Sequence, residues 1–83
     1  MVQFMKVISV KALPDYMLLL EFEDGAKKKF DFKKLLNSAP FYPLKNVELF
    51  NKAKSDNGGG GVVWDDDIDI ASEYLYDNGI LVR

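Results

Sequence analysis

The sequence contains no cysteine and no histidine. The first absence removes disulfides, thiolate nucleophiles and cysteine-based metal sites. The second removes imidazole bases, Ser–His triads and the ordinary zinc ligands. Any catalysis would fall to Asp, Glu, Lys, Tyr or Ser. Long hydrophobic runs are lacking too: the longest, Tyr16 to Leu20, is far short of the ~20 apolar residues that a membrane-spanning helix needs. MVQFMKVISV at the N-terminus has a single Lys and no small-residue cleavage site, so it does not read as a signal peptide. These absences predict a cytoplasmic protein with no membrane contact, no metal and no cofactor. They also leave apolar packing as the sole source of stability.

What is present suits that requirement. Eighty-three residues, 48% hydrophobic and 13% aromatic, fit one small folded domain over residues 1–83. The net charge of −2 is unevenly spread. Residues 1–34 carry seven lysines against five acids, whereas no basic residue occurs between Ser55 and Val82. An acidic surface repels phosphate backbones, so nucleic acid is the less expected partner. The exception is the basic stretch KKKFDFKK, residues 27–34.

Periodicity gives the elements. A strand over Met5–Ala12 and a turn at Leu13-Pro14-Asp15 lead to a strand over Tyr16–Glu23, with Tyr16, Leu18, Leu20 and Phe22 on one face. Asp24-Gly25 signals a hairpin. A three-residue loop, Glu23-Asp24-Gly25, sets Leu18 opposite Phe30 and Tyr16 opposite Phe32; a two-residue loop mixes core and solvent faces. Lys27, Lys29 and Asp31 then point outward. A short helix over Phe32–Asn37 capped by Asp31, a Pro-pinned loop, one turn capped by Asn46, strands over 51–56 and 61–65, and a last helix over Ile70–Asp77 complete the chain. The predicted architecture is α+β: a small two-layer domain with an antiparallel sheet of about five strands, ordered β-β-β-α-short α-β-β-α, and short helices packed on it.

The segment GGGGVVWDDDIDI, residues 58–70, is where chemistry would sit. A phosphate loop ends in Gly-Lys-Ser/Thr and opens a helix; here the glycines enter Val62-Val63-Trp64, so a hairpin tip is the better reading. Asp65, Asp67 and Asp69 match the opening of a calcium loop, but Ile70 and Tyr76 stand where its Gly and bidentate Glu belong. Asp69 reads instead as a cap on the last helix. Asp69 and Glu73 as paired carboxylates would need a cleft that nothing in the sequence indicates. KKKFDFKK turns Phe30 and Phe32 inward, away from any base, leaving an edge strand protected by lysines.

FEDGAKKKFDFKKLL and VVWDDDIDIASEYLY together resemble the bacterial domain of unknown function 2442 family. The resemblance rests on Phe22, Asp24, Gly25, Leu35, Leu36, Phe50, Trp64, Asp69, Leu75 and Tyr76, and extends over nearly the whole chain. The family often has Gly near Ile68 and Pro where Ala71-Ser72 stand here, so the local turn differs. Membership implies a small α+β domain without established activity, frequently encoded beside another small uncharacterised protein in an arrangement discussed as toxin–antitoxin. Some relatives carry a C-terminal helix-turn-helix domain, for which residues up to Arg83 leave no room.

Residues and resemblance point to a non-enzymatic protein-binding or regulatory module. Its partner would be a protein encoded nearby, or a second copy in a homo-oligomer. The expected contact surface is Trp64, Asp65, Asp66, Asp67, Asp69, Glu73 and Tyr76, an acidic turn bordered by aromatics. The alternatives are a metal-dependent or carboxylate-based enzyme centred on Asp65–Glu73 and nucleic-acid binding through Lys27–Lys34.

Overall fold

Alternating apolar residues build the first three strands. In the computed structural model, which describes residues 5–65 and 68–82, β1 (Val7–Leu13), β2 (Met17–Phe22) and β3 (Lys27–Asp31) form an antiparallel meander. Leu18 stands opposite Phe30, the Phe22 amide donates to the Ala26 carbonyl at 2.9 Å, and the Phe32 amide donates to the Tyr16 carbonyl at 3.0 Å. Gly25 is left-handed, with φ +87°. The loop is therefore the expected three-residue one, and it gathers Leu18, Leu20, Phe22 and Phe30 on the buried face while Lys27, Lys29 and Asp31 stay exposed. The turn before β2 places two non-glycine residues, Asp15 and Tyr16, in left-handed backbones (φ 65° and 59°), so Tyr16 belongs to the turn and not to the strand. Contacts hold Tyr16 there: its hydroxyl donates to the Lys45 carbonyl and its ring meets Phe50 edge-on at 5.3 Å.

The helix expected over Phe32–Asn37 is a tight 3₁₀ turn, Lys33–Leu35, with the Asp31 carboxylate accepting from the Lys33 amide at 2.9 Å. A second 3₁₀ segment carries Pro40 and Pro43 over Ala39–Lys45, and α1 (Val47–Phe50) follows, capped by the Asn46 side chain on the Glu48 amide. A second sheet then forms from β4 (Lys54–Ser55), β5 (Gly61–Asp65) and β6 (Ile68–Ala71). Helix α2 (Ser72–Asn78) leads into β7 (Ile80–Leu81), which returns to the edge of β3. The fold is α+β and antiparallel, as predicted, but among the described residues seven strands divide between two sheets, ordered β1-β2-β3-β7 and β4-β5-β6. The strands beyond the expected five are β6 and β7. Ile68 and Ile70 are buried while Asp69 and Ala71 are exposed, a two-residue period that makes a strand of what the spacing of Ile70 and Tyr74 had placed in a helix.

The glycine loop is a hairpin tip seated against the body. Gly59 (φ +75°) accepts from the Val7 amide at 3.0 Å, and Gly60 accepts from the Ser72 amide at 2.9 Å, so the loop fastens β1 and the start of α2. A side chain at Gly61 would place Cβ 2.0 Å from the Ile70 carbonyl oxygen, whereas one at Gly58 would meet nothing.

One aromatic cluster closes the core. Phe32 is fully buried, with the rings of Phe41, Trp64, Phe30 and Phe50 at 5.1, 5.2, 5.8 and 5.8 Å. The Trp64 indole N–H donates to the Phe50 carbonyl at 3.0 Å. Truncating Phe32 to Ala should cost about 3–5 kcal/mol in urea unfolding, and Trp64→Phe about 0.5–1.5 kcal/mol from the lost indole hydrogen bond, since the Phe50 carbonyl keeps the Ala53 amide at 3.2 Å. Gly61→Ala should destabilise by about 1–3 kcal/mol through overpacking, with Gly58→Ala close to neutral in the same assay.

Candidate functional site

The expected acidic surface is only partly assembled. Trp64 does not line it: the side chain is 4% exposed and its N–H is committed to the core, so the residue serves packing. Asp65 is exposed at the end of β5, where its carboxylate accepts from the Ile68 amide at 3.1 Å and closes the turn to β6. Asp66 and Asp67 lie outside the described residues. Asp69 is exposed in the middle of β6 opposite Val63, and does not cap α2, whose N-cap position is Ala71, with no side-chain cap. Glu73 is exposed in the first turn of α2. Among the described residues no three acidic side chains are grouped to hold a metal ion. On the outer face of the small sheet, Lys54, Val63 and Asp69 form a cross-strand row flanked by Asp56 and Asp65, over depressions of about 210 and 330 Å³.

Tyr76 is tied to the first hairpin. Its hydroxyl donates to the Asp24 carboxylate at 2.7 Å, its ring meets Phe22 edge-on at 4.9 Å, and the Lys28 ammonium sits 3.6 Å from the ring centre while donating to the Tyr76 carbonyl at 2.6 Å. The Tyr76 hydroxyl and the Ala26 amide hold the Asp24 carboxyl below its ordinary pKa; the Asp24 carboxylate raises that of Tyr76. Phe22 and Asp24 lie far from Tyr76 in the chain, and the three form one contact linking β2, the hairpin loop and α2.

The larger sheet offers a surface that the sequence reading did not single out. Its inner face receives α2 through Tyr76 on Phe22 and Tyr74 on Phe30. Its outer face carries a row crossing all four strands, Lys11–Leu19–Lys29–Ile80, beside the half-buried Met17 and Leu13. Lys11 and Lys29 are exposed and Ile80 is 75% exposed, so lysines flank an apolar strip open to solvent. The available signal was Met17 and Leu19, apolar residues that alternation assigns to the solvent side. Lys27 stands on this face as well, whereas Lys28 is spent on Tyr76 and Lys33 on Asp31 (3.3 Å).

Fold and surface define a small α+β domain with two open sheet faces, one bearing lysines together with Glu21 and Asp31 around apolar residues, the other bearing acids together with Lys54. The chain belongs to the family Protein of unknown function (DUF2442), which matches residues 7–80. A search of curated proteins returned no match. In fold the chain is similar to the crystal structure of a putative DNA binding protein from Nitrosomonas europaea, with TM-score 0.72 and 23% identity over 92% of this chain and 52% of that one. The chain thus spans about half of that protein's length. That neighbour is at odds with nucleic acid as the less expected partner, and the expectation is withdrawn. Its physical ground was narrower than its conclusion: Phe30 and Phe32 do point inward (5% and 0% exposed), which bears on base stacking, but phosphate contacts need only cations. No helix among the described residues is long and apolar enough to cross a membrane.

Replacing Tyr76 with Phe should raise the Asp24 pKa towards the ordinary carboxylate value, with part of the depression retained through the Ala26 amide and Lys28. Because the folded-state Asp24 pKa is lowered, its contribution to stability is present above the ordinary carboxylate range and fades as pH falls through the folded value. Because that of Tyr76 is raised, its contribution is present below the ordinary tyrosine range and fades as pH rises through the folded value. NMR titration of the Asp24 carboxyl carbon in both proteins checks the shift.

Proposed function

We propose that this chain is a non-enzymatic binding module with a regulatory role, presenting the outer face of its four-stranded sheet to a macromolecular partner. The observation that carries this reading is the Lys11–Leu19–Lys29–Ile80 row, an apolar strip between lysines on a face that the helices leave open. Antiparallel sheets commonly leave one face to water, but such a face normally alternates to polar residues; Met17, Leu19 and Ile80 depart from that pattern. The groups with shifted pKa values, Asp24, Asp31 and Tyr76, serve turns and interelement contacts: the Lys33 amide first of all holds the Asp31 carboxyl low.

A second reading, contact with nucleic acid, is supported by the description of the structural neighbour as DNA binding and by Lys11, Lys27 and Lys29 on one face. Affinity purification of the tagged protein from its native cells separates the possibilities. The wild type should retain a protein or a nuclease-sensitive nucleic acid that the Lys11→Glu/Lys27→Glu variant loses, with unchanged far-UV circular dichroism. Equal recovery by both forms, or recovery by neither, contradicts the assignment of this face.

A further inference from the structure

The edge of β3 is incompletely covered. Strand β7 supplies only two residues, and its pairing stops at Lys29↔Ile80 because the preceding Gly79 caps α2. The Val82 amide donates to the Lys27 carbonyl at 2.8 Å, so alternate residues of β3 (Lys27, Lys29, Asp31) turn their backbone groups towards this edge. Asp31 lies past the end of β7. A groove of about 560 Å³ opens there, with Phe30, Leu35, Tyr74 and Ile80 among its lining and Lys29 and Lys34 at its rim. Tyr74 is 45%, Leu81 58% and Ile80 75% exposed, which is unusual for side chains of this size clustered at one place.

Charge indicates what fits. Residues 27–34 carry five lysines and one acid, Asp31, and that acid is held by Lys33. Lys29 and Lys34 make no ion pair among the described residues. A backbone edge, an apolar lining and a cationic rim together match an extended peptide carrying carboxylates on either side of an apolar side chain. A phosphate backbone would meet the lysines but leave the apolar lining unsatisfied. A second copy would bring the same lysines to its own groove.

We propose that this groove docks an extended acidic segment of another protein. The segment's backbone continues the sheet beside Asp31, its apolar side chain enters between Leu35 and Tyr74, and its carboxylates meet Lys29 and Lys34. The inference rests on the binding-module reading and names the partner chemistry for the rim of the same sheet.

Fluorescence anisotropy of the 83-residue protein with three labelled probes tests it: a synthetic peptide alternating Glu with Val and Leu, its counterpart with Lys in place of Glu, and a DNA duplex. Saturable binding of the acidic peptide alone is expected, weakened about tenfold by Lys34→Glu and by Tyr74→Ala, and unchanged by the remote Lys52→Glu. Circular dichroism of each variant separates lost binding from lost fold. Equal binding of the lysine peptide overturns the proposal, as does retention of the duplex without the acidic peptide. So does a concentration-dependent dimer in sedimentation that Lys34→Glu abolishes, since a second copy would then be the occupant. Failure of the acidic peptide beside successful partner capture from cells removes the groove alone; failure of both removes the binding-module reading as well.

Discussion

The structure depends on the burial of the Phe32 ring. Phe32 sits where β3 turns into the 3₁₀ turn Lys33–Leu35, and its four aromatic neighbours come from four segments: Phe30 from β3, Phe41 from the proline segment, Phe50 from α1 and Trp64 from β5. Edge-to-face contacts at these distances add to the burial of each ring. The Phe50 carbonyl satisfies the Trp64 N–H that the cluster would otherwise strand. With neither cysteine nor histidine available, this cluster does the work that a disulfide or a metal does in many domains of this size.

A core of this kind decides where function can lie. Each sheet turns one face to the aromatics and leaves the other open. The outer face of β1-β2-β3-β7 combines lysines with apolar residues, whereas that of β4-β5-β6 gathers Asp56, Asp65 and Asp69 round Val63. In the segment that looked most like chemistry, residues 58–70, the glycines and the tryptophan serve the fold. Its glycines allow the close approach of β5 to β6 and fasten β1, and its tryptophan fills the core. The recognition proposed above therefore uses strand surfaces and the unfinished edge of β3.

Much of this was legible where side-chain period and turn chemistry agree. The β2–β3 register follows from Gly25 and from the need to place Leu18 opposite Phe30, and both hold. Asn46 before Val47 announced its helix cap. Other features were hidden because short segments carry little periodic signal. Ile70, Tyr74, Ala71 and Leu75 have helical spacing, yet Ile68-Asp69-Ile70-Ala71 also alternates, and pairing with β5 selected the strand. Two residues after Gly79 form β7 because the edge of β3 is free beside them, which no local pattern encodes. Trp64 in an acidic neighbourhood resembled a contact residue; its two-residue spacing from Val62, apolar and on the same face of β5, would have placed it in the core. The open row on the larger sheet required knowing that no helix covers that face.

The central claim is that one aromatic core makes the two sheets a single cooperative unit and thereby fixes the open faces relative to each other. Equilibrium urea unfolding followed simultaneously by Trp64 fluorescence, which reports on the smaller sheet, and by amide exchange of Leu18, Leu20 and Phe30 in the larger sheet tests this directly. A single coincident transition is predicted. Separate midpoints for the two probes would contradict it.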